Sequence, residues 1–333
     1  MKSRWAALAL FLLTAASAPA PLKLVAKYRI PASVQGRLDH VTADLKSNRL
    51  FLAAETAHEV LVFDLRTGQF IHAITGIEIP HSIFVRDDLN RIFVTDGGPD
   101  GQVHIYDGRT YRQLNAVKLK AHSDSIGYDP ATQDLYVDNG GGDAHETFTM
   151  LSIINTKTES KIADIRIDGS ALEAMALAKS SPLLYVDNPA KVEVDVVNRK
   201  TRKVIAEWPV PKCVHNAAIA LDEPSHRLYT ACRSGSIVVF DTQTGKALQS
   251  LPIAKDVDDL IFDPVRKRLY ASCADGPISV YHVVDGNHYN PIGEIPTPPG
   301  GKNEVMVPSL HRFFVPIPPS KAAAGEIFVY QVR

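Results

Sequence analysis

Three cysteines in 333 residues, Cys213, Cys232 and Cys273, are too few for a fold stapled by disulfides, and an odd number leaves at least one without an intrachain partner. Charge of one sign is also missing: 36 Lys and Arg face 37 Asp and Glu, so there is no basic stripe to hold a phosphate backbone and nucleic acid is not an expected partner. Beyond the N-terminal segment, no apolar run approaches the roughly 20 residues that span a bilayer. There is no Gly-x-Ser-x-Gly, Walker loop, dinucleotide fingerprint or His-Glu-x-x-His, which removes the common nucleophile, phosphate and zinc signatures. The glycines at 97–98 and 140–142 follow strands without opening helices, so they do not form the usual phosphate cradle. No segment suggests a helix of any length.

What the chain has is a phrase that returns seven times: a basic or polar residue, two or three apolar β-formers, then a polar residue. With Leu50, Ile92, Leu135, Leu184, Leu228, Leu269 and Phe313 as markers, the gaps are 42, 43, 49, 44, 41 and 44 residues. A period in the forties built from short strands is the signature of a β-propeller, not of a helical solenoid. The all-β class follows, with seven blades of four strands. Ahead of the repeats, Lys2 and Arg4 precede the apolar run from Trp5 to Ala16 and the small residues up to Ala20. That order describes a secretory signal peptide at 1–20, with a single propeller domain over 21–333 and a periplasmic or secreted destination.

Within a blade, the fifth unit shows the pattern best. A mostly apolar inner strand ends at the turn Asp222-Glu223-Pro224-Ser225, and Arg227 to Ala231 and Ser236 to Phe240 supply the next two strands. Asp241-Thr242-Gln243-Thr244-Gly245 then turns the chain into a more polar outer strand, and the same turn stands at Asp64 to Gly68. Weaker versions begin at Asp107, Asn155 and Asn198, where the Asp or Asn side chain is expected to accept backbone N–H groups. The seventh unit ends on its third strand. Leu24 to Ile30 reads as a spare outer strand, predicted to pair with Ile327 to Tyr330 and so to close the ring and cover its edge.

These repeats resemble the YVTN or YncE-like seven-bladed propellers of exported bacterial proteins. The resemblance covers the whole mature chain and rests on the Arg-Leu-Tyr-Val-like strands, on Asp-Pro-x-x-x-x-Leu-Tyr at Asp129 to Tyr136 and Asp263 to Tyr270, and on the turns at Asp64 and Asp241. It implies an exported binding or scaffold protein without catalysis, although similar propellers include lactonases and metal-dependent hydrolases. It also implies a Cys213–Cys232 disulfide: Cys213 precedes the inner strand of blade 5 and Cys232 ends that blade's second strand, so both emerge on one face. Cys273 is the equivalent of Cys232 one blade on, and Cys232–Cys273 is the competing pair.

Propeller topology places the candidate site. Inner strands begin on one face of the disk, and the loops joining second to third strands return to it. Polar residues at these points therefore share one mouth of the central channel. The inner-strand starts carry Asp39-His40, His81-Ser82, Asp124-Ser125, Glu173, His215-Asn216, Asp258-Asp259 and Asn303-Glu304. A small polar ligand would be held there, or a divalent metal with His40, His81 and Glu173 as candidate ligands. The second-strand ends Asp96, Asn139, Asn188, Cys232 and Cys273 are expected to thicken the same mouth. The loop from Asn139 to Glu146, which lacks calcium-loop spacing, could cover it. The expected function is a monomeric, non-catalytic binding protein for a small polar ligand, a metal or an envelope protein partner. The alternative is a metal-dependent hydrolase or lactonase with a His and carboxylate site at the mouth.

Overall fold

In the computed structural model, which describes residues 19–333, twenty-eight strands form seven four-stranded antiparallel sheets. Each of the first six sheets uses four consecutive strands. Blade 1, for example, runs Val41–Asp44, Arg49–Ala54, Glu59–Asp64 and Phe70–Thr75 from the axis outward. Blade 7 takes Val305–Val307, Arg312–Ile317 and Glu326–Val332 from the end of the chain and Leu22–Arg29 from its beginning. The closing register sets Tyr28 opposite Ile327 and Leu24 opposite Tyr330, as the spare outer strand predicts. Leu22–Arg29 thereby pairs the edge that Glu326–Val332 would otherwise leave open, which removes a template for aggregation. Among the described residues, helix is confined to three single 3₁₀ turns at Glu55–Ala57, Gly141–Ala144 and Pro308–Leu310. No helix among the described residues is long and apolar enough to cross a membrane. The signal peptide expected at 1–20 falls almost wholly outside the described residues.

The recurring phrase is a packing element. All seven marker residues, from Leu50 to Phe313, have no exposed surface, and they sit between blades with the Phe, Tyr and Val residues beside them. Burying such side chains contributes about 1.5–3 kcal/mol each and is the main stabilisation of the ring. The turn residues behave as their chemistry predicts: Asp64 accepts from the N–H groups of Arg66 and Thr67, and Asp241 from those of Gln243 and Thr244. The leading arginine of the phrase has a further role. Arg49 reaches Tyr111 of blade 2, Arg91 reaches Glu159 of blade 3, and Arg227 reaches the carbonyl of Gly286 in blade 6. Each bolts its blade to the outer turn of the next.

Candidate functional site: a charged ring at the channel mouth

Seven residues stand five places ahead of the inner-strand ends Asp44, Arg86, Asp129, Asp222, Asp263 and Val307 and of Ala178, the residue just past Met175–Leu177 in blade 4. They are Asp39, His81, Asp124, Glu173, Ala217, Asp258 and Lys302, one from each blade. All seven line a cavity of about 770 Å³ at the axis. In blades 5 and 6 a β-bulge at Ala217 and Asp258 inserts an extra residue just there, which turns it off the ladder. Blade 5 supplies only a methyl group, and Arg233, from the end of its second strand, enters the gap. Its guanidinium lies 2.5 Å from Asp258 Oδ1 and 3.6 Å from Glu173 Oε1, joining blades 4 and 6 across blade 5.

Polar contacts link much of the circle. His81 Nδ1 is 2.5 Å from Asp39 Oδ2 and 3.9 Å from Asp124 Oδ1. The Asn303 amide donates to Asp39 and to Asp258, each at 3.3 Å. Lys302 Nζ is 3.0 Å from Asp258 Oδ2, and His215 Nε2 is 2.7 Å from Glu173 Oε1 at the rim. One step inward, His40 Nδ1 stands 3.5 Å from Asp259 Oδ1.

Burial works against a charged His40 imidazole, but the carboxylates of Asp39 and Asp259 outweigh it and hold its pKa well above the usual histidine value. Burial opposes the His81 charge too, and Asp124 together with the Asp39 hydrogen bond lifts that pKa to about 10. Burial raises Asp39, yet the His40 charge and the His81 hydrogen bond prevail and its carboxyl falls well below the carboxylate range. Both histidines are therefore imidazolium at neutral pH. Behind the ring, Asp138 is the opposite case: burial, then the charges of Asp124 and Glu173, push its pKa well above the usual carboxylate value.

Most of the expected site residues meet here. Asp39, His40, His81, Asp124, Glu173 and Asp258 line the cavity, and His215 touches it through Glu173. Four do not. Asn216 is wholly buried and donates to Asp187 and to the Glu193 carbonyl, because the bulge turns Ala217 to the axis in its place. Asn303 is buried as a bridge between carboxylates. Asp259 and Glu304 line a smaller cavity of about 330 Å³ further along the channel. The metal set His40, His81 and Glu173 does not converge; the ligand atoms that do, all within 4.8 Å of one another, belong to Asp39, His81 and Asp124.

The second-strand ends are a second correction. Asp96, Asn139, Asn188, Cys232 and Cys273 are buried and do not line the mouth. Four of them tie down the loop arriving from the preceding outer strand. Asp96 accepts the N–H groups of Glu78 and Ile79, Asn139 accepts that of Lys120, and Asn188 donates to the Asp168 carbonyl. Cys232 makes the same link covalently, in the expected disulfide with Cys213, across a Cα–Cα distance of 5.6 Å. Cys273 remains a buried free thiol, its pKa pushed up to about 12 by burial.

The 139–146 loop is folded, not open. Gly141 has a φ of +73° and its missing Cβ makes room for the Ser170 carbonyl, 2.3 Å from where that atom would stand. A Lys120–Glu146 ion pair and a 3.0 Å contact between His122 Nδ1 and Asp143 Oδ2 hold the turn, and Asp143 lines the cavity. Sequence reasoning missed Arg233 and Lys302. Lys302 was visible as the blade 7 member of the five-residue register; Arg233 had only the apolar vacancy at Ala217 to announce it.

No protein-family model matches the chain, and no curated protein resembles it in sequence. Its fold is well represented among solved structures. A chain from the hydrazine synthase of Kuenenia stuttgartiensis superposes with a TM-score of 0.73 at 13% identity, over 98% of this chain and 100% of that one. A chain from a mitotic checkpoint complex superposes with a TM-score of 0.74 at 14% identity, over 98% and 99%. At such identities the likeness concerns the fold alone: this protein is a seven-bladed β-propeller.

Proposed function

We propose that the chain is an exported, non-catalytic binding propeller of the YncE-like kind that holds a small polar ligand in the ring at its channel mouth. The observation that carries this is the convergence of Asp39, His81, Asp124, Glu173, Asp258, Lys302 and Arg233 on one cavity of about 770 Å³. That volume suits a metabolite-sized molecule, and the walls offer both fixed donors and fixed acceptors. Export is supported by the basic and apolar start of the sequence and by the disulfide.

The test is a thermal-shift screen of residues 21–333 against small polar compounds, with hits measured by calorimetry. A hit should bind one per chain and weaken by about 10-fold or more in R233A, the loss of one charge-assisted contact. Hits that ignore every ring substitution would overturn the site. Turnover of an ester or lactone abolished by H81A would replace the binding reading with the hydrolase one, and co-purification of an envelope protein with no small ligand would replace it with docking.

A further inference from the structure

We propose that the mouth carries a divalent transition-metal site formed by Asp39, His81 and Asp124, with open positions that face the cavity. This deepens the binding reading and rests on it, since the ion would be the anchor on which a polar ligand is held.

Three features of the geometry support it. The first is convergence: one ligand atom from each of three consecutive blades, the imidazole nitrogen of His81 and a carboxylate oxygen from each aspartate, lie within 4.8 Å of one another. One histidine with two carboxylates is a donor set suited to zinc or manganese.

The second is an oxygen without a partner. Asp124 Oδ1 is shielded from solvent and accepts no hydrogen bond, and at 3.9 Å from His81 Nδ1 it is too far to take one from that ring. A buried carboxylate oxygen left without a partner is destabilising, and a cation between Asp124 and His81 would supply one.

The third is orientation. The Nε2 edge of His81 packs on Gly97, where a Cβ would lie 2.6 Å from that nitrogen. The ring is thereby seated with Nδ1 toward both carboxylates. The second oxygen of Asp39 is held by the Asn303 amide at 3.3 Å, the outer-shell support that metal-binding carboxylates usually have.

Charge placement around the ring agrees. Arg233 and Lys302 both sit on the Asp258 side. Beside Asp39 and Asp124 the positive groups are imidazoles, His81 between the two carboxylates and His40 with Nε2 3.9 Å from Asp39 Oδ1. A dication there takes the place of the His81 Nδ1 proton, which leaves to solvent, and three protein ligands leave room in its coordination shell for water or for an anionic group of the ligand.

The experiment uses untagged residues 21–333, stripped with EDTA, dialysed and titrated separately with ZnCl₂ and MnCl₂ by calorimetry. One ion per chain is expected. D39N, D124N and H81A should each weaken binding by at least about 100-fold, and N303A by about 10-fold as an outer-shell change. H226A and H288A, exposed and away from the mouth, should bind within about 3-fold of wild type, well below those losses. Circular dichroism and melting of each variant separate loss of the site from loss of the fold. If neither ion binds up to about 1 mM, weaker than any structural or catalytic metal site, the proposal fails; binding indifferent to all three ligand variants overturns it equally. A polar compound that binds the EDTA-treated protein in an Arg233-dependent way, with no metal bound, would sink the metal site and leave the binding reading standing.

Discussion

Blade 5 places the smallest side chain of the ring at Ala217, and the protein answers with Arg233 from a different strand. The guanidinium serves two carboxylates at once, Asp258 and Glu173, and these belong to blades that do not touch at the axis. Burial opposes its charge, but Asp258 and Glu173 more than compensate and raise its pKa further. R233A would leave Asp258 with Lys302 and Asn303, and Glu173 with His215 at the rim. Since the arginine is about one-third exposed, the cost should be moderate, about 1–3 kcal/mol in urea unfolding. R233K should recover only part of it, because an ammonium is a point charge and cannot bridge two carboxylates as a planar fork does. Full recovery by lysine would mean that net charge alone matters at this position, and the bridging account would be wrong.

At the scale of the strand and its loop, one register position repeats with changing chemistry. The residue that ends the second strand ties the incoming loop with a carboxylate in blade 2, with amides in blades 3 and 4, and with a disulfide in blade 5. Asp96 is the most heavily used: the N–H groups of Glu78, Ile79 and Gly98 and the ring of His104 all point to it. Burial alone would raise its carboxyl, but the hydrogen bonds from His104 and those three amides hold it far below the carboxylate range. Opening a disulfide that closes a loop of this length costs about 3 kcal/mol. D96A strands the buried Gly98 N–H and His104 ring, at about 1–3 kcal/mol each, together with two part-buried N–H groups, so it should destabilise about as much as C213A. Denaturant unfolding of the two variants side by side checks this, and a D96A that unfolds like wild type would show that water replaces the tether.

The same elements show what the sequence discloses. Blades, turns and the closing strand were legible because periodicity and turn chemistry are local properties that survive in one dimension. The site was legible in outline, since any inner-strand start must reach the axis. It failed where a bulge moved the axial position by one residue, so that His215 and Asn216 stood in for Ala217. It failed again at Arg233, whose long side chain crosses from one structural role into another. The polar second-strand ends were misjudged because a carboxamide at a loop looks the same whether it faces water or a buried backbone group.

Taken whole, the ring has a charge distribution whose response to pH can be worked out. Burial lifts the carboxyl of Asp187 to about 8, against an unfolded value of 3.8. Burial, helped by neighbouring carboxylates, also lifts Asp138 and Glu304 well above their ordinary values. Each is protonated in the folded state at a pH where the unfolded chain has released the proton. Folding then binds protons, and stability falls as pH rises from the unfolded value toward the folded one. His40 and His81 act in the same sense at higher pH: their carboxylate partners overcome burial and raise both values, so their contribution is complete below pH 6.5 and is lost as pH climbs through the folded values, about 10 for His81. Asp39 and Asp96, held low, give up stability only below about pH 4, the ordinary carboxylate range. The melting temperature should therefore be highest in mild acid, near pH 4–6, and fall steadily toward pH 9, each buried acid contributing up to about 1.4 kcal/mol per pH unit within its window. D187N keeps an acceptor for Asn216 and Thr230 while removing the titrating proton, so its curve should be shallower than wild type between pH 5 and 8. A wild-type melting temperature that rises across that interval, or a D187N curve parallel to it, would mean that water reaches these acids and that the wall behind the ring is wet.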